Sequence, residues 1–173
     1  MPTASPGVRP GSGNDGADVY LHVQTKRAGK AKGEVVTPGH NDDILVVAWQ
    51  WGLSASSALG SKQATGRRSY SALTVHKYID SATTALMAAL ATNDEVKEAK
   101  LTLRRAGGQQ EDFFIVKLEQ ARITSLQHSG EADGSTRETV TIAFTKVEVE
   151  YRPQKASGGR SGSQMFTDEL LED

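Results

Sequence analysis

The sequence predicts a mainly β protein: a small closed antiparallel β-barrel with one α-helix packed on its side and an extended loop. Three observations predict it. Nearly every apolar stretch alternates with a period of two, the mark of a strand with one buried face. Only one stretch, residues 82–90, changes to helical spacing. Two long strands also shift their inward-facing set by one residue partway along, and such a shift bends a strand as closure of a barrel requires.

Taken in order, residues 1–17 are rich in Gly, Pro and Ser, lack periodicity, and are expected to be disordered. The barrel domain is expected over residues 18–153. Its first strand is DVYLHVQ, with Val19, Leu21 and Val23 on one face and Tyr20 and His22 on the other. A polar connection, TKRAGKAKGE, follows, and residues 34–37 suit a short strand before the Pro38-Gly39 turn. The next strand, ILVVAWQW at residues 44–51, is apolar on both faces. A barrel strand normally shows water one of its faces, so the outer face here is expected to be covered, partly by the helix and partly by another subunit. Residues 52–71 hold few core-forming side chains, and their Gly66-Arg67-Arg68 run suits an extended hairpin reaching out to a neighbour.

Leu73, Val75 and Lys77 then share one strand face, with Thr74, His76 and Tyr78 on the other. Asp80 or Ser81 can cap the helix that follows by accepting from an orphan backbone N–H. Ala82, Ala85, Leu86, Ala89 and Leu90 form its apolar stripe, and Asn93 suits a left-handed C-cap. In VKEAKLTLRR, Ala99, Leu101 and Leu103 point inward, before turn residues at 106–109. In FFIVKLEQARITSL the inward set passes from Phe114, Val116 and Leu118 to Ala121 and Ile123, which predicts a bulge near residues 119–120. In TVTIAFTKVEVEY, Val140, Ile142 and Phe144 give way in the same manner to Val147, Val149 and Tyr151. Residues 154–173, Gly/Ser-rich and then acidic, are expected to form a disordered tail.

Composition narrows the function. At 173 residues the chain can bury a real core, and 20 Lys plus Arg nearly balance 21 Asp plus Glu. That balance argues against nucleic-acid binding, as does an aromatic content of 6%. The absence of cysteine removes disulfides and thiolate chemistry. The N-terminus has no apolar region of a Sec signal peptide, and no apolar run is long enough to insert in a membrane; a soluble protein is expected. His22, His40, His76 and His128 lie on separate elements without ligand spacing, so no metal or cofactor is expected. The carboxylates at 42–43, 111–112, 131 and 133 sit among turn residues, where acidic side chains serve solubility. The loop serines lack a GxSxG elbow, and Lys97, Lys100, Arg104 and Arg105 read as a solvated strand face. No catalytic residues are expected. A barrel with no site, apolar outer positions and a long loop suits a building block.

With these features assembled, the chain resembles the Hcp family, the tube protein of bacterial type VI secretion. The resemblance is carried by KGE at 32–34, GRRSYSALTVHKYIDSATTALMAAL, the AKLTLRRAGG turn, DFFIVKLEQARITSL and RETVTIAFTKVEVEYRPQ, in that order, over roughly residues 18–155. It implies a small β-barrel with a side helix that assembles into a hexameric ring with an open lumen. It further implies that rings stack into a tube, which a contractile sheath expels behind a spike, and that small effector proteins travel in the lumen. Such a protein is cytoplasmic when assembled and then reaches the extracellular space or a target cell without a Sec signal peptide. The resemblance places subunit and ring contacts on the long loop, with Leu53, Ser54, Leu59, Arg67, Arg68 and Tyr70 as candidates. Ile44, Val46, Trp49 and Trp51 of the two-faced strand are candidates for packing within a ring, where identical subunits need unlike patches to meet head to tail. The alternatives are a phage tail-tube-like structural protein and a secreted hydrolase.

Overall fold

The structure is a computed structural model that describes residues 17–56, 67–106, 111–154 and 162–170. Its elements are β1 (Ala17–Thr25), β2 (Gly29–Lys30), β3 (Ile44–Ala55), β4 (Arg68–Lys77), α1 (Thr83–Ala91), β5 (Val96–Arg105), β6 (Asp112–Gly130), β7 (Thr136–Tyr151) and β8 (Gln164–Glu169). The strands run in the order β1-β3-β4-β7-β6-β5, and β1 also pairs with β5, so the sheet closes on itself. Every pairing is antiparallel. The closure expected of a small barrel is thus present as a closed circuit of hydrogen-bonded strands.

Inside the circuit the alternating apolar positions meet in one core. Leu21, Ile44, Leu73, Val75, Leu101, Leu118 and Ile142 are all fully buried. The helix closes one side of this core with Ala82, Leu86 and Ala89, which belong to the same cluster, and it packs against β6. Ala85 of the expected stripe faces solvent instead. The N-terminal turn is held by Asp80, whose carboxylate accepts from the Ala82 amide at 2.9 Å. Asn93 ends the helix at φ 54°, the left-handed conformation expected of it. Arg122 of β6 donates to its carbonyl and its side-chain oxygen at 2.8 and 2.9 Å.

The one-residue slips in the long strands occur together. Gln120 has φ 48°, and the buried set passes from Val116 and Leu118 to Ala121 and Ile123 across it. On β7 the buried set passes from Phe144 to Val147 at the facing position. The Thr145 hydroxyl donates to the Gln120 carbonyl at 3.2 Å, so both strands kink at one level and their register is kept. The register itself shifts a little further on, between Ile123 and Ser125.

Three expectations are corrected. Strand β3 does not have two apolar faces: a register shift between Val46 and Ala48 inverts its alternation. Ile44 and Val46 are buried before the shift, Trp49 and Trp51 turn inward after it, and Val47 and Ala48 are exposed. Residues 34–37 form no strand. They fold as a loop in which Val35 exchanges backbone hydrogen bonds with Asp42 and Asp43 at 2.8 and 3.1 Å. Gly33, within the KGE of the sequence, lies so close to this crossing that a Cβ there would stand 2.3 Å from the Asp43 carbonyl oxygen. The acidic tail is not structureless either, because residues 164–169 form β8, which pairs with residues 146–151 of β7.

Candidate functional site

The most prominent feature is the hairpin of β3 and β4. Pairing between them runs from Val46↔Lys77 out to Ala55↔Arg68. Pairing of β4 with β7 stops at Leu73↔Ile142. From there outward the hairpin leaves the sheet as a two-stranded arm, and a ribbon of that kind is marginal in water unless something packs on it.

Two contacts supply that packing. At the root, Trp51 stacks on Tyr70 with ring centroids 6.2 Å apart, and both meet Phe144 edge-on at 6.3 and 5.6 Å. Trp49 stacks on Phe114 at 6.3 Å. Beyond the root, Asp168 of β8 reaches across to β4. Arg68 donates to both of its carboxylate oxygens, and the Tyr70 hydroxyl donates to it at 2.7 Å. These partners hold the Asp168 carboxyl down to about 2. Burial and the Asp168 contact push the Tyr70 hydroxyl up.

The interface candidates therefore separate. Ile44 and Val46 are core residues, closed off within the subunit, and are not available to a neighbour. Trp49, Trp51 and Tyr70 form the arm's root, partly buried against the core. The Arg68 guanidinium is engaged within the chain by Asp168. Leu53 is 54% exposed on the arm, Ser54 bonds across it to Ser69 at 3.1 Å, and Arg67 is exposed. Leu59 lies outside the described residues.

Two polar clusters escaped the sequence reading. Lys77 and Glu138 are both fully buried and meet at 2.6 Å beneath the start of α1. The Lys77 ammonium also reaches the Tyr78 carbonyl and Asp80 at 2.9 Å, and Thr83 donates to Glu138 at 2.7 Å. The inward face of Leu73 and Val75 did include Lys77, but its partner lies 61 residues away and left no local signal. In the second cluster, His40 is buried and set between Asp43 at Nδ1 and Asp112 at Nε2, each 2.9 Å away. His22 and Lys30 also converge on Asp43, at 3.4 and 3.0 Å. Burial raises the Asp43 carboxyl, but hydrogen bonds from His22, Lys30 and His40 outweigh it and the net shift is downward. A cleft of about 470 Å³ lies beside His40, lined also by Arg104, Asp112, Glu150, Arg152 and Ser163. Among the described residues no three His, Cys, Asp or Glu side chains come together to hold a metal, and no helix is long and apolar enough to cross a membrane.

The fold of this closed β domain is shared by solved proteins of type VI secretion. A solved structure described as a type six secretion system protein superposes with a TM-score of 0.79, at 26% identity over 89% of this chain and 96% of that one. The Hcp1 protein of E. coli EAEC 042 shares the fold with a TM-score of 0.72, at 22% identity over 89% of this chain and 99% of its own. In sequence, the family model described as "Type VI secretion system effector, Hcp" matches residues 20–151. Protein hcp1 of Pseudomonas aeruginosa is 37% identical over 150 residues, 84% of this chain and 89% of its own length. The chain belongs to the Hcp family of the type VI secretion system.

Proposed function

We propose that this chain is a structural subunit of the type VI inner tube. Identical copies meet head to tail in a hexameric ring, and rings stack into a tube that the sheath expels behind the spike with small effectors in its lumen. The observation that carries the reading is the projecting arm on a family-matched body: β3 and β4 continue their own pairing beyond the point where β4 leaves β7. The arm offers an exposed Leu53, Ser54 and Arg67 to a neighbour, and Val47, 41% exposed, adds an apolar contact on the body.

The role is one of assembly, not catalysis. The cleft beside His40 holds a serine, but both ring nitrogens of His40 face carboxylates, so neither is left to activate Ser163. The protein is exported by the apparatus of which it is part. Light scattering after size exclusion, with negative-stain images of the peak, tests the assembly. Six-fold particles with a central hole are the expected result, and a clean monomer at micromolar concentration overturns it.

A further inference from the structure

We propose that β8 is a detachable strap that sets the direction of the β3–β4 arm, and that its seat is a receptor for an extended, carboxylate-bearing strand. The seat is the edge of β7 at residues 146–151 together with Arg68 and Tyr70 of β4. The gap it fills is built into the topology. Where β4 departs from β7 after Leu73, the edge of β7 is left without a partner on that side until β8 pairs along it, from Lys146↔Glu169 to Tyr151↔Gln164.

The strap is held by backbone, by the Asp168 side chain and, just past its end, by Leu170, which is partly buried against the core. Its residues are exposed except for a half-buried Asp168, with Met165 and Phe166 53% and 44% exposed. No apolar side chain of β8 belongs to the core cluster. The ladder is continued by the Leu170 amide, which donates to the Thr145 carbonyl at 2.6 Å. Only Asp168 reaches the arm, accepting from Arg68 and Tyr70, while Arg68 also donates to the Glu169 carbonyl at 3.2 Å. A six-residue ladder anchored only by the half-buried Asp168 and the partly buried Leu170 beyond it detaches locally far more easily than the domain unfolds. Recognition in the seat is therefore strand addition for affinity and a bidentate carboxylate clamp for specificity. With the strap seated, the arm is fixed to the body; with it released, the arm is held only at its aromatic root. The consequence for ring stacking rests on the tube reading, but the strap itself does not.

The full-length chain tests this, and its lack of cysteine allows a reversible lock. Glu148 and Thr167 face each other across β7 and β8, so oxidised E148C/T167C holds the strap down. In Asp168→Ala, backbone amides of residues 50–55 and 68–72 are expected to exchange about tenfold faster or more, with those of the core strands unchanged. The charge swap Arg68→Asp/Asp168→Arg is expected to recover much of the protection. A labelled peptide spanning residues 162–170 is expected to bind the Asp168→Ala chain and to be excluded from the oxidised lock. Unchanged arm exchange, faster exchange spread evenly over the whole domain, or peptide binding that survives the lock each overturn the proposal. Exchange is compared between parent and variant in the same oligomeric state and peptide binding is read in either, so failure to form rings would count against the tube reading alone.

Discussion

Breaking the buried Lys77–Glu138 pair is expected to cost more stability than any other single polar change in the domain. Both side chains have no solvent exposure, and their 2.6 Å contact joins β4, β7 and the first turn of α1. Lys77→Met leaves the Glu138 carboxylate buried with only the Thr83 hydroxyl at 2.7 Å and His128 more distant at 3.7 Å. One Glu138 oxygen already lacks a hydrogen-bond partner. An uncompensated buried charge of this kind costs about 3–5 kcal/mol. Glu138→Leu is milder, because Lys77 keeps Asp80 and the Tyr78 carbonyl at 2.9 Å, and about 1.5–3 kcal/mol is expected. The double variant removes both charges and takes Lys77 from the Tyr78 carbonyl, while Asp80 keeps the Ala82 amide and Thr83 keeps the Asp80 amide, so it should cost about 1–2 kcal/mol, less than Lys77→Met alone.

The assay is a double-mutant cycle by urea unfolding at pH 7. Protein concentration is fixed, since assembly adds its own mass-action stability. A coupling of at least about 2.5 kcal/mol is expected, with an unchanged dependence on denaturant. Single variants within about 1 kcal/mol of the parent, or a double variant as costly as the sum of the singles, would refute the reasoning.

Three further outcomes follow from the geometry. Gly33→Ala drives a Cβ into the Asp43 carbonyl and the Ile44 Cα, at 2.3 and 2.9 Å, which are backbone atoms that cannot rotate away. A loss of at least about 2 kcal/mol is expected, seen as a lower midpoint by circular dichroism. The Asp168 contact is expected to hold from neutral pH down through the ordinary carboxyl range and to fail only as pH falls from 3.8 toward about 2. The sign follows from a folded-state carboxyl held below its unfolded value, so its stabilisation is present above both and lost on protonation. The groups around it are Arg68 and Tyr70 on β4, Lys117 and Glu119 on β6, Lys146 and Glu148 on β7 and Glu169 on β8, and arm fluorescence from Trp51 reports the release. Leu53→Asp is expected to leave the unfolding midpoint of the subunit within about 0.5 kcal/mol of the parent while weakening assembly by light scattering.

What the sequence disclosed and what it hid divide along one physical line. Most strand faces, the helix and the Asn93 cap are local patterns, set within a few residues by side-chain direction and backbone preference, and they are found where the pattern put them, with Ala85, Tyr151 and the faces of β3 as the exceptions. The slip across Gln120 was legible for the same reason, because burial parity changes within one strand. The shift at Val47 was not, although it is the same device. Both sides of it are apolar, so a bulge and a two-faced strand give the same string of letters, and only the partner strand decides between them. The tail was misread because β8 buries no apolar side chain and so carries no periodicity. Its order comes from the unpaired edge of β7 and from two residues of β4 about a hundred positions away. Candidate interface residues share that blindness: Leu53 and Val47 stand out only by exposure, and exposure depends on where the neighbouring strands end. The arm could be foreseen as a long segment poor in core residues, but its direction belongs to a contact between Arg68 and Asp168 that no local window contains.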